Sequence, residues 1–271
     1  MILSGAVETD CAELLCRVEG RVAIVTLHRP DAKNALTLEM KRALAALLPR
    51  LAADPDVGAV LLTGAGAAFC AGGDTKRMAR EGAPPEPEER KQQLRWEHGI
   101  PLALHRMAKP TLAALPGPAA GAGFSLALAC DLRVMAESAF VTTAYVKLGL
   151  SGDYGASWFL TRLVGPARAR EILFLGERLS AAECLALGLA NRVVPDARLG
   201  EEALALAHRL ANGPPLALRA MKDNLNRALG ESLEALLELE AERMVDGATS
   251  DDYVEAVRAF EERRPPVFKG R

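Results

Sequence analysis

Aromatic residues make up only 4% of this 271-residue chain. A platform that stacks successive bases needs more of them, which argues against single-strand nucleic-acid binding. A basic excess is lacking too: 33 Lys and Arg stand against 35 Asp and Glu, for a formal charge of −2. That balance argues against nucleic acid and anionic membranes as partners. No uncharged apolar run reaches about 18 residues, so no membrane span is expected. Five cysteines, Cys11, Cys16, Cys70, Cys130 and Cys184, lack CxxC spacing. Their odd number, in a chain too long for a disulfide scaffold, points to a reducing cytoplasm. His28, His98, His105 and His208 show no ligand spacing, so no metal is expected and all four read as surface or core residues. The opening MILSGAVETDCAELL carries Glu8, Asp10 and Glu13 and no basic region, the pattern of neither a signal nor a transit peptide.

Half of the residues are hydrophobic and 25% are charged, an ordinary ratio for a soluble domain with a substantial core. Leu14–Val18 and Val22–Leu27 read as strands of a hairpin turning at Glu19-Gly20-Arg21. A helix starts at Thr37, with Leu44, Leu47, Leu48 and Leu51 at helical spacing. Ala59–Leu62 and Thr111–Leu115 have the length of buried strands, and Asp131–Ala136 reads as another. Glu81–Glu89, with Pro84, Pro85 and Pro87, predicts an exposed loop before a helix over Arg90–Met107. Ser138–Ala156 reads as irregular, and from Trp158 onward helices run almost to the end. The expected organisation is an α/β part over residues 1–195 and a helical part over 196–271.

Two loops have almost no side chains. Ala59–Asp74 reads AVLLTGAGAAFCAGGD, a strand running into tiny residues. Pro116–Gly123 reads PGPAAGAG and opens onto the apolar helical stretch Phe124–Cys130. Such loops can press backbone N–H groups against a ligand, and a helix start adds a favourable dipole for negative charge. GAGAAF at Gly64–Phe69 falls short of a dinucleotide fingerprint, because Phe69 stands where the third glycine belongs. Gly123-Phe124-Ser125-Leu126-Ala127 is one residue short of a nucleophile elbow, so Ser125 reads as a small helix residue.

FCAGGD and GPAAGAG…CDL, separated by a helix, resemble the crotonase family, also called the enoyl-CoA hydratase/isomerase family. The resemblance extends from about Val22 to the end. It includes His28-Arg29-Pro30…Asn34-Ala35-Leu36, Arg162-Leu163-Val164-Gly165…Ala169-Arg170-Glu171, Glu183…Ala186-Leu187-Gly188-Leu189-Ala190 and Phe260…Arg264-Pro265-Pro266-Val267-Phe268-Lys269-Gly270. It implies a spiral of ββα units with a helical C-terminal region for trimer or dimer-of-trimers assembly. It implies an acyl-coenzyme A thioester as partner, with coenzyme A part of the substrate and no other cofactor. By position, the family's two oxyanion-holding amides fall on Gly73 and Ala122. The coenzyme A segment falls near Ala32, Ala71 and Asp74, with Arg29 and Lys76 either phosphate neighbours or ordinary solvated charges.

Family hydratases use two glutamates, and here their positions hold Ser125 and Tyr145, the latter after Ala144 in place of a Pro-Glu pair. Neither hydroxyl replaces a carboxylate as a neutral-pH base, since a free tyrosine titrates near 10. Asp153, in Gly149-Leu150-Ser151-Gly152-Asp153-Tyr154-Gly155, matches the Asp of some family isomerases that carries a proton between C2 and C4. In an apolar acyl pocket its pKa would rise. Alternatively, or in addition, Asp153 would be the N-cap of a helix over Gly155–Leu163. Tyr145 either bonds substrate or fills the core, and Ser125 leaves room for a bulky acyl group. Double-bond isomerisation is the expected reaction. Hydration with unusual residues, hydrolysis, or acyl-CoA binding without chemistry are the alternatives.

Overall fold

A computed structural model describes residues 4–74 and 86–271. Ser4–Val7 (β1), Leu14–Glu19 (β2) and Val22–Leu27 (β3) pair antiparallel in sequence. The β2–β3 turn forms at the expected place, because Gly20 and Arg21 both take positive φ, +52° and +69°. Leu38–Ala53 (α1) follows, its first turn capped by Thr37 Oγ1 accepting the Met40 N–H at 3.1 Å. Ala59–Gly64 (β4) is buried along nearly its whole length.

Beyond residue 85 come Pro87–Glu97 (α2), Gly99–Arg106 (α3), Thr111–Leu115 (β5), Ala119–Ala120 (β6), Ala122–Ala129 (α4), Leu132–Ala136 (β7) and Phe140–Thr142 (β8). Ala156–Leu175 (α5) is kinked at Gly165 ahead of Pro166. Leu179–Ser180 (β9), Ala181–Ala186 (α6), Arg192–Val194 (β10), Leu199–Ala211 (α7), Pro215–Arg227 (α8), Leu233–Ala248 (α9) and Asp251–Glu261 (α10) complete the chain.

One sheet has the order β1-β2-β3-β4-β5-β7-β10, parallel from β3 onward; a smaller one has the order β6-β8-β9. The α/β class expected from the sequence is therefore present. The central strands are apolar on both faces because helices cover both, which is the condition for a parallel sheet. α1 contributes Met40, Leu44, Leu47, Leu48 and Leu51 to that core, and α7 contributes Ala203, Leu206 and Ala207.

Three local expectations are corrected. The single helix over Arg90–Met107 is two helices that meet at His98. The proline-rich loop lies mostly outside the described residues, and Pro87 itself opens α2, where its missing N–H costs nothing. The stretch after Trp158 is not continuously helical: β9 and β10, of two and three residues, are too short to carry a periodic signal.

Candidate active site

β4 and β5 are parallel neighbours, so the loops after them leave the same edge of the sheet. Their turns are bonded to each other. Pro118 O accepts the N–H groups of Phe69 and Cys70 at 3.1 and 3.2 Å, and Cys70 O accepts that of Ala120 at 2.9 Å. Side chains are absent because backbone occupies their space. A β-carbon on Gly117 would lie 2.1 Å from Ala67 O, and one on Gly123 would lie 2.3 Å from Cys70 O. Gly72, at φ +87°, would place one 2.6 Å from Ala120 O and 3.3 Å from the amide nitrogen of Ala122.

Asn34 ties the first loop down. Its buried side chain accepts from Arg29 N–H at 2.8 Å and donates to Ala65 O and Ala68 O at 3.0 and 2.7 Å. Ala71 N–H is taken by Lys33 O, Gly72 N–H by Cys70 Sγ, and Gly121 N–H by Thr142 O. Among the described residues the Gly73 and Ala122 N–H groups have no acceptor. Ala122 is the first residue of α4, so its amide is one of the helix's orphan donors. Two neighbouring backbone donors thus remain unspent where strand and helix ends converge.

Ser125, one turn into α4, and Tyr145 stand beside them. Their hydroxyls are 3.0 Å apart; Ser125 Oγ lies 3.2 Å from Gly121 O, and Tyr145 Oη lies 3.2 Å from Asp153 O. Two protons serve those three contacts, so a change of donor in one moves the others. Burial, foremost, raises the Tyr145 phenol far above its ordinary value, so it stays a neutral donor. Ala144 adopts φ +54°, a conformation closed to proline. The departure from a Pro-Glu pair is therefore in the backbone as well as in the side chains.

Asp153 is not a helix N-cap. Gly155 holds that position at φ +82°, with no side-chain capping bond. Asp153 Oδ1 accepts the Tyr154 N–H at 2.8 Å and lies 2.5 Å from His98 Nε2. The carboxylate sits among polar partners at one side of the site, not in the apolar wall expected of it. Its Oδ2 has no hydrogen-bond partner among the described residues.

Arg29 and Asp74 form an ion pair at 3.0 Å, and Arg29 also reaches Glu13 at 3.1 Å and Ala35 O at 2.9 Å. Its charge is answered within the chain. Ala32 lies half-buried in the turn Pro30–Ala32, Ala71 is half-buried in the first loop, and Lys76 falls outside the described residues.

Glu97 and His98 did not stand out in the sequence. Glu97 is 0% exposed, 2.8 Å from Lys41 Nζ and 3.2 Å from the Tyr154 hydroxyl. A signal for this pair existed: Lys41 lies in the helical stripe Lys41, Leu44, Leu48, Leu51, and a lysine in an apolar stripe needs a buried partner. His98 carried no such signal, since its partner is far off in sequence.

A cavity of about 1650 Å³ opens between α3, the start of α5 and the helices α8–α10. It reaches His98 and Tyr154, while Gly73 and Ala122 are not on its wall. Among the described residues no group of three His, Cys, Asp or Glu gathers as a metal site, and no helix is long and apolar enough to cross a membrane.

The family model for enoyl-CoA hydratase/isomerase matches residues 17–271. A Rhodobacter capsulatus protein named "Probable enoyl-CoA hydratase" is 40% identical over 92% of this chain and 95% of its own length. The 1,2-epoxyphenylacetyl-CoA isomerase of Escherichia coli is 37% identical over 95% of this chain and 98% of its own. The crystal structure of an enoyl-CoA hydratase from Polaromonas superposes with a TM-score of 0.88 at 37% identity, covering 94% of this chain and 99% of that one.

Proposed function

This chain belongs to the enoyl-CoA hydratase/isomerase family, and on that premise we propose that it isomerises the double bond of an enoyl-CoA thioester. The Gly73 and Ala122 amides receive the thioester oxygen. Asp153 Oδ2, as carboxylate, takes a proton from C2, the charge spreads onto that oxygen, and the carboxylic acid returns a proton at C4. Charge that develops only in the transition state is best met by donors already in place; each such donor contributes about 3–4 kcal/mol. The observation that carries this reading is that neither amide has an acceptor among the described residues, while Gly72, the residue before Gly73, would place a β-carbon only 3.3 Å from the Ala122 nitrogen.

The choice of isomerisation rests on the carboxylates. Hydration in two-glutamate fashion needs a pair, and at the two positions the family resemblance assigns to them this chain has Ser125 and Tyr145. Asp153 is left as the acid/base, and one relative bears an isomerase name. Hydration is the second reading, favoured by the name of the Rhodobacter relative. Coenzyme A enters as part of the substrate. Assembly as a homotrimer or dimer of trimers is supported by apolar side chains on α8–α10, with Leu225, Met244 and Phe260 71%, 76% and 86% exposed. Five free thiols fit a reducing cytoplasm.

The deciding experiment follows C2 hydrogen exchange of an acyl-CoA in deuterated water with wild-type protein and Asp153→Asn. Loss of exchange by about a hundredfold or more supports the assignment. Undiminished exchange removes Asp153 as the base, and formation of a 3-hydroxyacyl-CoA would move the conclusion to hydration.

A further inference from the structure

Glu97 and His98 are consecutive residues at the junction of α2 and α3, and they reach two consecutive residues ahead of α5. Glu97 Oε2 lies 3.2 Å from the Tyr154 hydroxyl, and His98 Nε2 lies 2.5 Å from Asp153 Oδ1. An ionised carboxylate can only accept, so Nε2 of His98 carries the proton between them. With the Tyr154 N–H at 2.8 Å, Oδ1 holds two donors while Oδ2 holds none. The two oxygens of one carboxylate are thereby made unequal.

We propose that His98 is the positioning residue of Asp153: it fixes Oδ1 from outside so that Oδ2 alone faces the substrate. The inference rests on the reading of Asp153 as the acid/base. Further features argue for a built arrangement. His98 stands at the junction of α2 and α3, the C-cap of one and the N-cap of the next. The backbone of Tyr154 is held at φ +54°, a conformation that non-glycine residues adopt at a cost. That turn is secured at its other end by the buried Glu97, itself paired with Lys41 at 2.8 Å. The imidazole also meets the Tyr154 ring edge-on, with centroids 6.0 Å apart.

A carboxylate held by one donor instead of two is less firmly oriented, and small misplacements at a reacting atom are expensive in rate. Removing His98 therefore acts on turnover rather than on substrate binding. The test uses 3-hexenoyl-CoA and follows the shift to the 2-enoyl isomer with wild type, His98→Ala, His98→Gln and Asp153→Asn. His98→Ala is expected to lower kcat by about ten- to a hundredfold, with KM changed less than about threefold. His98→Gln, which keeps an N–H donor of similar reach, is expected to recover most of that loss. The imidazole is nearly half-exposed (47%), so all His98 variants should unfold at the wild-type temperature. Wild-type kcat in His98→Ala, or a His98→Gln as slow as the alanine variant, overturns the inference. If Asp153→Asn is inactive while His98→Ala is unaffected, this inference falls alone. If Asp153→Asn turns over normally, or the wild-type protein does not act on the probe, the isomerase reading falls and takes this one with it.

Discussion

Gly72 faces Ala122 across the site: a β-carbon on Gly72 would stand 3.3 Å from the amide nitrogen that begins α4. The same carbon would lie 2.6 Å from Ala120 O, an oxygen held in backbone and unable to yield cheaply. Gly72→Ala therefore pushes the two turns apart, and φ +87° adds strain. Its expected cost is about a hundredfold or more in kcat, comparable with loss of one oxyanion donor. Steady-state turnover of an acyl-CoA measures it, and full activity would mean the amides do not act together.

Tyr145→Phe separates donation from proton transfer. Burial keeps the phenol protonated, so it contributes a hydrogen bond and no base. Losing a bond of about 1 kcal/mol lowers turnover less than about tenfold. The pH–rate profile from about pH 6 to 10 should keep its shape, since Tyr145 does not titrate there. A lost alkaline limb in the variant would show that the phenol ionises in turnover.

Lys41→Met leaves Glu97 buried without its closest cation. Breaking a buried pair from one side costs about 3–5 kcal/mol, and replacing both members by apolar residues recovers much of it. The Tyr154 hydroxyl and Gln93 Nε2, at 3.2 and 2.8 Å from Glu97, temper the loss toward the lower figure. Guanidinium unfolding of Lys41→Met, and of Lys41→Met with Glu97→Leu, gives both values. Equal stability of the single variant and wild type would place this pair in water instead of the core.

Four buried thiols set an alkaline limit. Burial pushes Cys70, Cys130 and Cys184 up to about 12 and Cys16 up to about 11. In the unfolded chain they ionise near 9, so above that pH the unfolded state binds fewer protons than the folded one. Stability is whole below about pH 9 and falls as pH rises toward the folded values. The unfolding midpoint should drop across this window, and less steeply in Cys70→Ala with Cys130→Ala. A thiol reagent at about pH 8 should reach only the half-buried Cys11 quickly.

Much of this was legible in the chain. The parallel strands announce themselves as apolar runs, Ala59–Leu62 and Thr111–Leu115, because both faces are covered. The bare loops are legible because glycine and alanine at Gly72, Gly117 and Gly123 mark places where backbone meets backbone. β9 and β10 were not, since two or three residues hold no period. The partners of Asp153 were hidden for another reason. His98 is 55 residues distant, and only the folding of α2 onto the turn before α5 brings the imidazole to the carboxylate. The capping role failed at Gly155, whose positive φ takes the helix start expected of an aspartate two residues earlier.

Asn34, the buried tie of the first loop, has a kinetic corollary. Its three bonds to Arg29, Ala65 and Ala68 anchor the cradle to the body of the protein through contacts no ligand supplies. On the proposed reading, an incoming thioester would meet a receptor already shaped by these bonds. Capture is then governed by how often molecules collide in the right orientation, and escape by how firmly the cradle grips.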